Sequence, residues 1–216
     1  MLKRYASFHS ALAVLACATL VITMSACDAV GSFSDQDEDA PDVELGRFEM
    51  VLSGALQDTL SGTAVFSTTT EEDPTTGEEI TLFGLAFLPD SAETAAQSGN
   101  WFASQIVRAS ERPEEGEYTF AELSEQQFPQ SPAEFPEEGF MFSFQTENTE
   151  RSAVVTSDSG TLEITNSASA TLSGRFSVET SGLYYEPGMT EQQTNASITV
   201  EGEFKALGGE LPEGSI

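Results

Sequence analysis

The sequence is poor in the residues that most chemistry needs. It holds one histidine and two cysteines in 216 residues, and His9 and Cys17 both fall within the first 26. Beyond residue 26 no histidine remains, which excludes a Ser-His-Asp triad and histidine-ligated zinc or haem. Only Cys27 is left there, so that part of the chain closes no internal disulfide. No glycine-rich phosphate loop of the Walker or Rossmann kind occurs. Basic residues are scarce as well: eight Lys and Arg stand against 36 Asp and Glu, a formal net charge of −28. Phosphate binding needs a basic footprint, so the charge excludes nucleic acid as a partner. It also argues against docking of the protein surface on anionic lipid.

What is present begins with Met24-Ser25-Ala26-Cys27. A basic start, Lys3-Arg4, precedes an apolar run from about Ala11 to Met24. The run is short for a membrane span, which needs about 20 apolar residues, and fits the core of a signal peptide. With its small residues before Cys27 it resembles a bacterial lipobox, although Met24 stands where leucine is usual. The resemblance implies a signal peptide over 1–26 and acylation of Cys27, which removes thiol chemistry. The remaining chain would carry six basic residues and all 36 acidic ones. Each buried acyl methylene adds about 0.8 kcal/mol of anchoring. The expected location is the cell envelope, with the membrane as a partner through the lipid anchor. Asp28, directly after the cysteine, resembles an inner-membrane retention signal, whereas the acidic run that follows resembles a surface-export signal and points to the outer membrane.

Residues 27–44 read as an acidic tether, with too few large apolar side chains to fold. Asp35, Asp37 and Asp39 have the spacing that opens an EF-hand loop, but Ala40 and Gly46 occupy the positions that need Gly and Glu. They are weak calcium candidates, and the sequence names no metal site and no cofactor. The acids are spread along the whole chain, which fits a solvated surface adapted to high salt, where screening removes self-repulsion.

From Gly46 onward the hydrophobic period is two. Phe48/Met50/Leu52, Phe140/Phe142/Phe144, Leu172/Phe176/Val178 and Ile198/Val200/Phe204 each mark one face of a strand. Thr81 to Phe87 is apolar on both faces. Ala153/Val155 and Leu162/Ile164 read as two short strands separated by a turn at 157–160. Turn-forming clusters at 71–79 and 89–100 separate other runs. The sequence predicts an all-β fold: a single antiparallel β-barrel or β-sandwich of about 8–10 strands over 45–208, little helix, and a flexible tail at 209–216. A motif of Gly, any residue, then a large apolar residue recurs at Gly46-Arg-Phe48, Gly116-Glu-Tyr118, Gly160-Thr-Leu162, Gly174-Arg-Phe176 and Gly202-Glu-Phe204. Glycine lets a strand bend and a neighbouring aromatic cover the bare spot, which predicts a strongly coiled sheet.

The stretches PEEGEY at 113–118, SGTLEIT at 159–165, LSGRFSV at 172–178 and ITVEGEF at 198–204 resemble a family of Bacteroidetes-type, β-rich lipoproteins of unknown function. The resemblance implies an all-β lipoprotein domain and supplies no catalytic residues.

Three local features are ligand candidates. Trp101, the only tryptophan, begins a strand after Gly99-Asn100, where it stacks on a sugar or fills a rim. Tyr184 and Tyr185 read as part of a polar loop beside Pro187-Gly188, where exposed adjacent tyrosines offer a contact surface or one tucks under the loop. Glu71, Glu72, Asp73, Glu78 and Glu79 crowd one hairpin and offer calcium ligands or a solvated tip. The expected function is a non-enzymatic binding or interaction module of the envelope, with an envelope protein or a glycan as partner. The first alternative is a carrier holding a small hydrophobic ligand inside a barrel. The second is a glycan hydrolase built on two carboxylates.

Overall fold

The computed structural model describes residues 41–90, 101–122, 129, 131–147, 152–185, 189 and 193–209. Cys27, most of the tether and the Asp35/Asp37/Asp39 run lie outside the described residues, as does the tail beyond 209. Nine strands form: β1 (Arg47–Gly54), β2 (Asp58–Glu72), β3 (Glu79–Pro89), β4 (Trp101–Arg108), β5 (Gly116–Thr119), β6 (Met141–Glu147), β7 (Ser152–Ala168), β8 (Thr171–Tyr185) and β9 (Gln193–Gly208). A single 3-10 turn at Pro132–Glu134 is the one helical piece among the described residues.

Of the two all-β architectures, the chain forms the barrel. Eight strands close an antiparallel circuit in the order β7-β6-β4-β3-β2-β1-β9-β8, with β8 pairing back onto β7. The ninth, β5, is an excursion between β4 and β6. It adds to the same edge of β7 that β6 uses, further along: β6 pairs with Ser152–Thr156 and β5 with Thr161–Ile164. Closure leaves each barrel strand a neighbour on both sides, which removes the free edges that a flat sheet exposes.

Alternation sets the inside. Phe48, Phe87, Phe142, Phe176 and Phe204 all lie buried on the barrel axis. Their rings meet edge-on or tilted: Phe48–Phe87 at 5.1 Å, Phe87–Phe176 at 5.5 Å, Phe142–Phe176 at 5.7 Å and Phe87–Phe204 at 5.9 Å between centroids. These separations suit aromatic pairing, and each fully buried ring contributes roughly 1.5–3 kcal/mol by transfer from water. The recurrent glycines make room for the rings. Phe204 stands opposite Gly174 and Phe176 opposite Gly202 in the β8–β9 register. A Cβ on Gly202 would lie 2.5 Å from the Phe176 ring, so ring and glycine are complementary halves of one contact.

The two-sided strand is β3. Phe83, Leu85 and Phe87 face the axis, while Leu82 is buried outside the barrel against Val107, Met141 and Phe135. Phe135 belongs to the proline-rich crossing that follows β5, so this segment covers an external apolar patch.

Residues 157–160 differ from the expected turn. One strand, β7, runs through them, and the register slips between Ser157 and Ser159. Asp158 is the extra residue of a bulge, and its carboxylate accepts a bond from Ser181 Oγ at 2.8 Å. The inward side is therefore odd-numbered before the bulge (Ala153, Val155, Ser157) and even-numbered after it (Leu162, Ile164). Ser157, fully buried, spans the gap where β6 gives way to β5. Its hydroxyl accepts from the Phe142 N–H at 3.2 Å and donates to the Ala121 carbonyl at 2.9 Å.

Both ends of the described chain leave from one end of the barrel. Ala64 N–H donates to the Gly46 carbonyl, Gly208 N–H to Ala170, and Gly209 N–H to Phe66. The β2–β3 hairpin and the β7–β8 turn share this end. It is latched by Arg112, whose guanidinium sits 4.5 Å over the Phe66 ring. Arg112 donates to the carbonyls of Ala168, Ser169 and Thr171 in the β7–β8 turn.

Candidate functional site

The sequence candidates separate by burial and by place. Tyr184 is a correction: it lies within β8, not in a loop, and is 4% exposed because its ring joins the core. Tyr185, on the opposite face, is 42% exposed. Trp101 opens β4, and the register sets it in one row with Glu147, Ser152 and Tyr185 on consecutive strands. Trp101 and Tyr185 thus mark the barrel end opposite Gly46.

The acidic hairpin divides too. Asp73 is buried and organises the turn: its carboxylate accepts the N–H groups of Thr75 and Thr76, each at 2.8 Å. The Thr76 and Thr75 bonds hold this carboxyl below the usual range, with Ser131 adding to the effect and burial opposing it. Asp73 is therefore a turn-former, while Glu71, Glu72, Glu78 and Glu79 are exposed. Because its folded pKa is depressed, Asp73 stabilises the hairpin at every pH above its unfolded value, about 3.9. That contribution fades as pH falls through the folded pKa. Melting of wild type and Asp73→Asn should differ at pH 7 and converge in strong acid. A constant difference across that range would deny the charge its role.

The site that sequence reading missed lies on the outer face of β5, β7, β8, β9 and β1. In register, Glu117 stands opposite Glu163, Glu163 opposite Arg175, Arg175 opposite Glu203, and Glu203 opposite Glu49. Five strands thus present a straight row of four glutamates with one arginine at the centre. The neighbouring row runs Thr161, Ser177, Glu201 and Val51. Together they line an open groove of about 430 Å³, with Met50, Phe176 and Gly202 beneath. Short Thr161 and Ser177 form its low part and the glutamates its walls.

No known protein family, curated protein or solved structure matches this chain. Arg175 Nε approaches Glu203 Oε2 at 3.8 Å, an exposed pair of the kind worth about 0–1 kcal/mol. Glu203 also accepts the Asp42 N–H at 3.2 Å, so the last residues of the tether pass beside the groove. The other described arginines are taken up by the fold. Arg112 latches the barrel end. Arg108 lies 5.0 Å over Phe140 and 5.7 Å over Tyr118 and donates to the Glu111 carbonyl. Arg47 forks onto Asp90, Nη1 donating to Oδ1 at 2.8 Å and Nη2 to Oδ2.

A signal for this row was present in the sequence. In each copy of the motif the large apolar residue faces the core, so the middle residue faces out. The middle residues of four copies, Glu117, Thr161, Arg175 and Glu203, all line the groove. Reading them as a set required the strand order, which spacing did not supply.

Proposed function

We propose that this protein is a non-enzymatic binding module of the cell envelope, anchored through Cys27, and that its outer groove takes a basic segment of an envelope protein. The observation that carries the reading is the row of charges. Like charges directly opposite on neighbouring strands destabilise a sheet, yet Glu117 faces Glu163 and Glu49 faces Glu203. Cationic side chains laid along the groove neutralise both pairs. Lysine and arginine stems are apolar, and Val51, which is 45% exposed, offers them contact. The volume lies within the range of ligand sites. A carrier reading finds less support, because an occupant of the axis must displace Phe87 and the rings around it. The acids outside the groove fit the salt-adapted surface, since screening weakens exposed charges over distance and spares contacts at short range.

The test is a titration of the isotopically labelled protein with a tetralysine peptide, followed by amide chemical shifts. Shifts should concentrate at Val51, Thr161, Ser177 and Gly202. Replacing both Glu201 and Glu203 by Gln should weaken binding about tenfold or more, and added NaCl should weaken it further. Shifts scattered over every acidic loop, or none, would refute the groove.

A further inference from the structure

The row of charges beside the outer groove is ordered. Across β5, β7, β8, β9 and β1 it runs Glu117, Glu163, Arg175, Glu203 and Glu49, so a guanidinium stands between two glutamate pairs. The Arg175 and Glu203 side chains are 41% and 29% exposed, and Glu49, Glu117 and Glu163 are exposed. All five can therefore meet an occupant. An unbroken run of lysines suits the glutamates but sets one ammonium against Arg175. Like charges brought together at an interface turn wrong partners away, so Arg175 discriminates among basic segments.

Strand spacing gives the order a scale. Neighbouring strands lie about 4.8 Å apart, so the midpoint of Glu117 and Glu163 is three spacings, about 14 Å, from the midpoint of Glu203 and Glu49. Arg175 lies halfway between them. An extended chain turns alternate residues to one side and advances about 6.6 Å for every two. Residues i, i+2 and i+4 of such a chain cover about 13 Å, close to the distance between the two pairs. Glu201 and Glu203 stand on one face of β9 with Gly202 beneath. Two residues along a strand is about 6.7 Å, a width that takes an extended chain but not a helix about 10 Å across.

We infer, taking the groove as the site of a basic segment, that this segment is extended and carries the pattern basic-x-acidic-x-basic. One basic side chain bridges Glu117 and Glu163, the acidic one meets Arg175, and the other basic one bridges Glu203 and Glu49. Glu203 accepts the Asp42 N–H and lies 3.8 Å from Arg175 Nε, so the incoming acid competes with it for the guanidinium. The incoming cation compensates Glu203 for that loss. Arg175 is the specificity-determining residue of the groove. The pattern is the same read in either direction, so both chain polarities fit.

Two end-blocked peptides of one composition test the charge order, Lys-Ser-Glu-Ser-Lys and Lys-Glu-Ser-Ser-Lys. In the second the glutamate points away from the lysine face. Their net charge is equal, so the general attraction of a chain at −28 is the same for both. Each is titrated into the labelled full chain at about 0.15 M NaCl, where screening acts beyond about 8 Å, and the amides of Thr161, Ser177 and Gly202 are followed. The first peptide should bind the wild type at least fivefold more tightly. Arg175→Gln should make the two equal, and Arg175→Glu should reverse their order. Equal binding to the wild type, with tetralysine still shifting those amides, would overturn the charge order and leave the groove standing. A preference that survives Arg175→Gln would overturn it as well. No shift with any of the three peptides would end both the charge order and the groove.

Discussion

Replacing Gly160 with alanine is expected to cost about 3–5 kcal/mol, enough to lower the melting temperature by about 10 °C or more. Two separate penalties combine there. Gly160 has φ +143°, a backbone region that side chains avoid, and a Cβ would lie 2.2 Å from the Ser177 carbonyl oxygen and 2.7 Å from Val178 Cα. Those neighbours are backbone of β8, so no rotamer change relieves the overlap. Gly116 separates the two penalties. It has φ +151° but open space where the Cβ would go, so Gly116→Ala should bear only the strain, about 1–3 kcal/mol. Thermal melts of both variants check the argument. If Gly160→Ala melts within a degree or two of Gly116→Ala, the close approach of β7 and β8 does not limit the barrel.

Arg112→Ala is the second large effect, about 3–4 kcal/mol by chemical denaturation. The guanidinium satisfies three turn carbonyls and covers the Phe66 ring. Bonds to a charged donor contribute about 1.5–3 kcal/mol each when well formed, less where water competes, and the ring contact adds about 0.5–1 kcal/mol. Lysine presents one compact ammonium in place of the planar fork, so Arg112→Lys should recover less than half of the loss. The comparison belongs at molar NaCl. There the general repulsion of a chain at −28 is screened, and the short contacts are what remain. A loss below about 1 kcal/mol would reduce the latch to an incidental surface contact.

Strand faces were legible because period two is a local signal. Phe140, Phe142 and Phe144 point one way whatever their neighbours are, and the axial face of β6 follows directly. Barrel closure was not legible. It depends on Arg47 finding Lys205 and on β8 returning to β7, pairings that leave no trace in spacing. The bulge in β7 misled for a physical reason: Ser-Asp-Ser-Gly has turn chemistry, and the apolar positions change parity across it, as they also do across a real turn. Tyr184 misled because a polar neighbourhood in sequence says little about the face of a strand. The groove needed the most information. Glu49, Glu117, Glu163, Arg175 and Glu203 come from five separated strands, and only the register makes them one surface.

Closure between the first and last strands also dictates when the protein can fold. A chain that emerges from its N-terminus presents β1 early, with Phe48, Met50 and Leu52 ready on one side. One of its partners, β9, appears only at the far end of the domain. Hairpins such as β2–β3 and β7–β8 form from neighbours in sequence, but the ring cannot shut until nearly every residue has been released. Such long-range pairing folds slowly and leaves apolar strands waiting in the open.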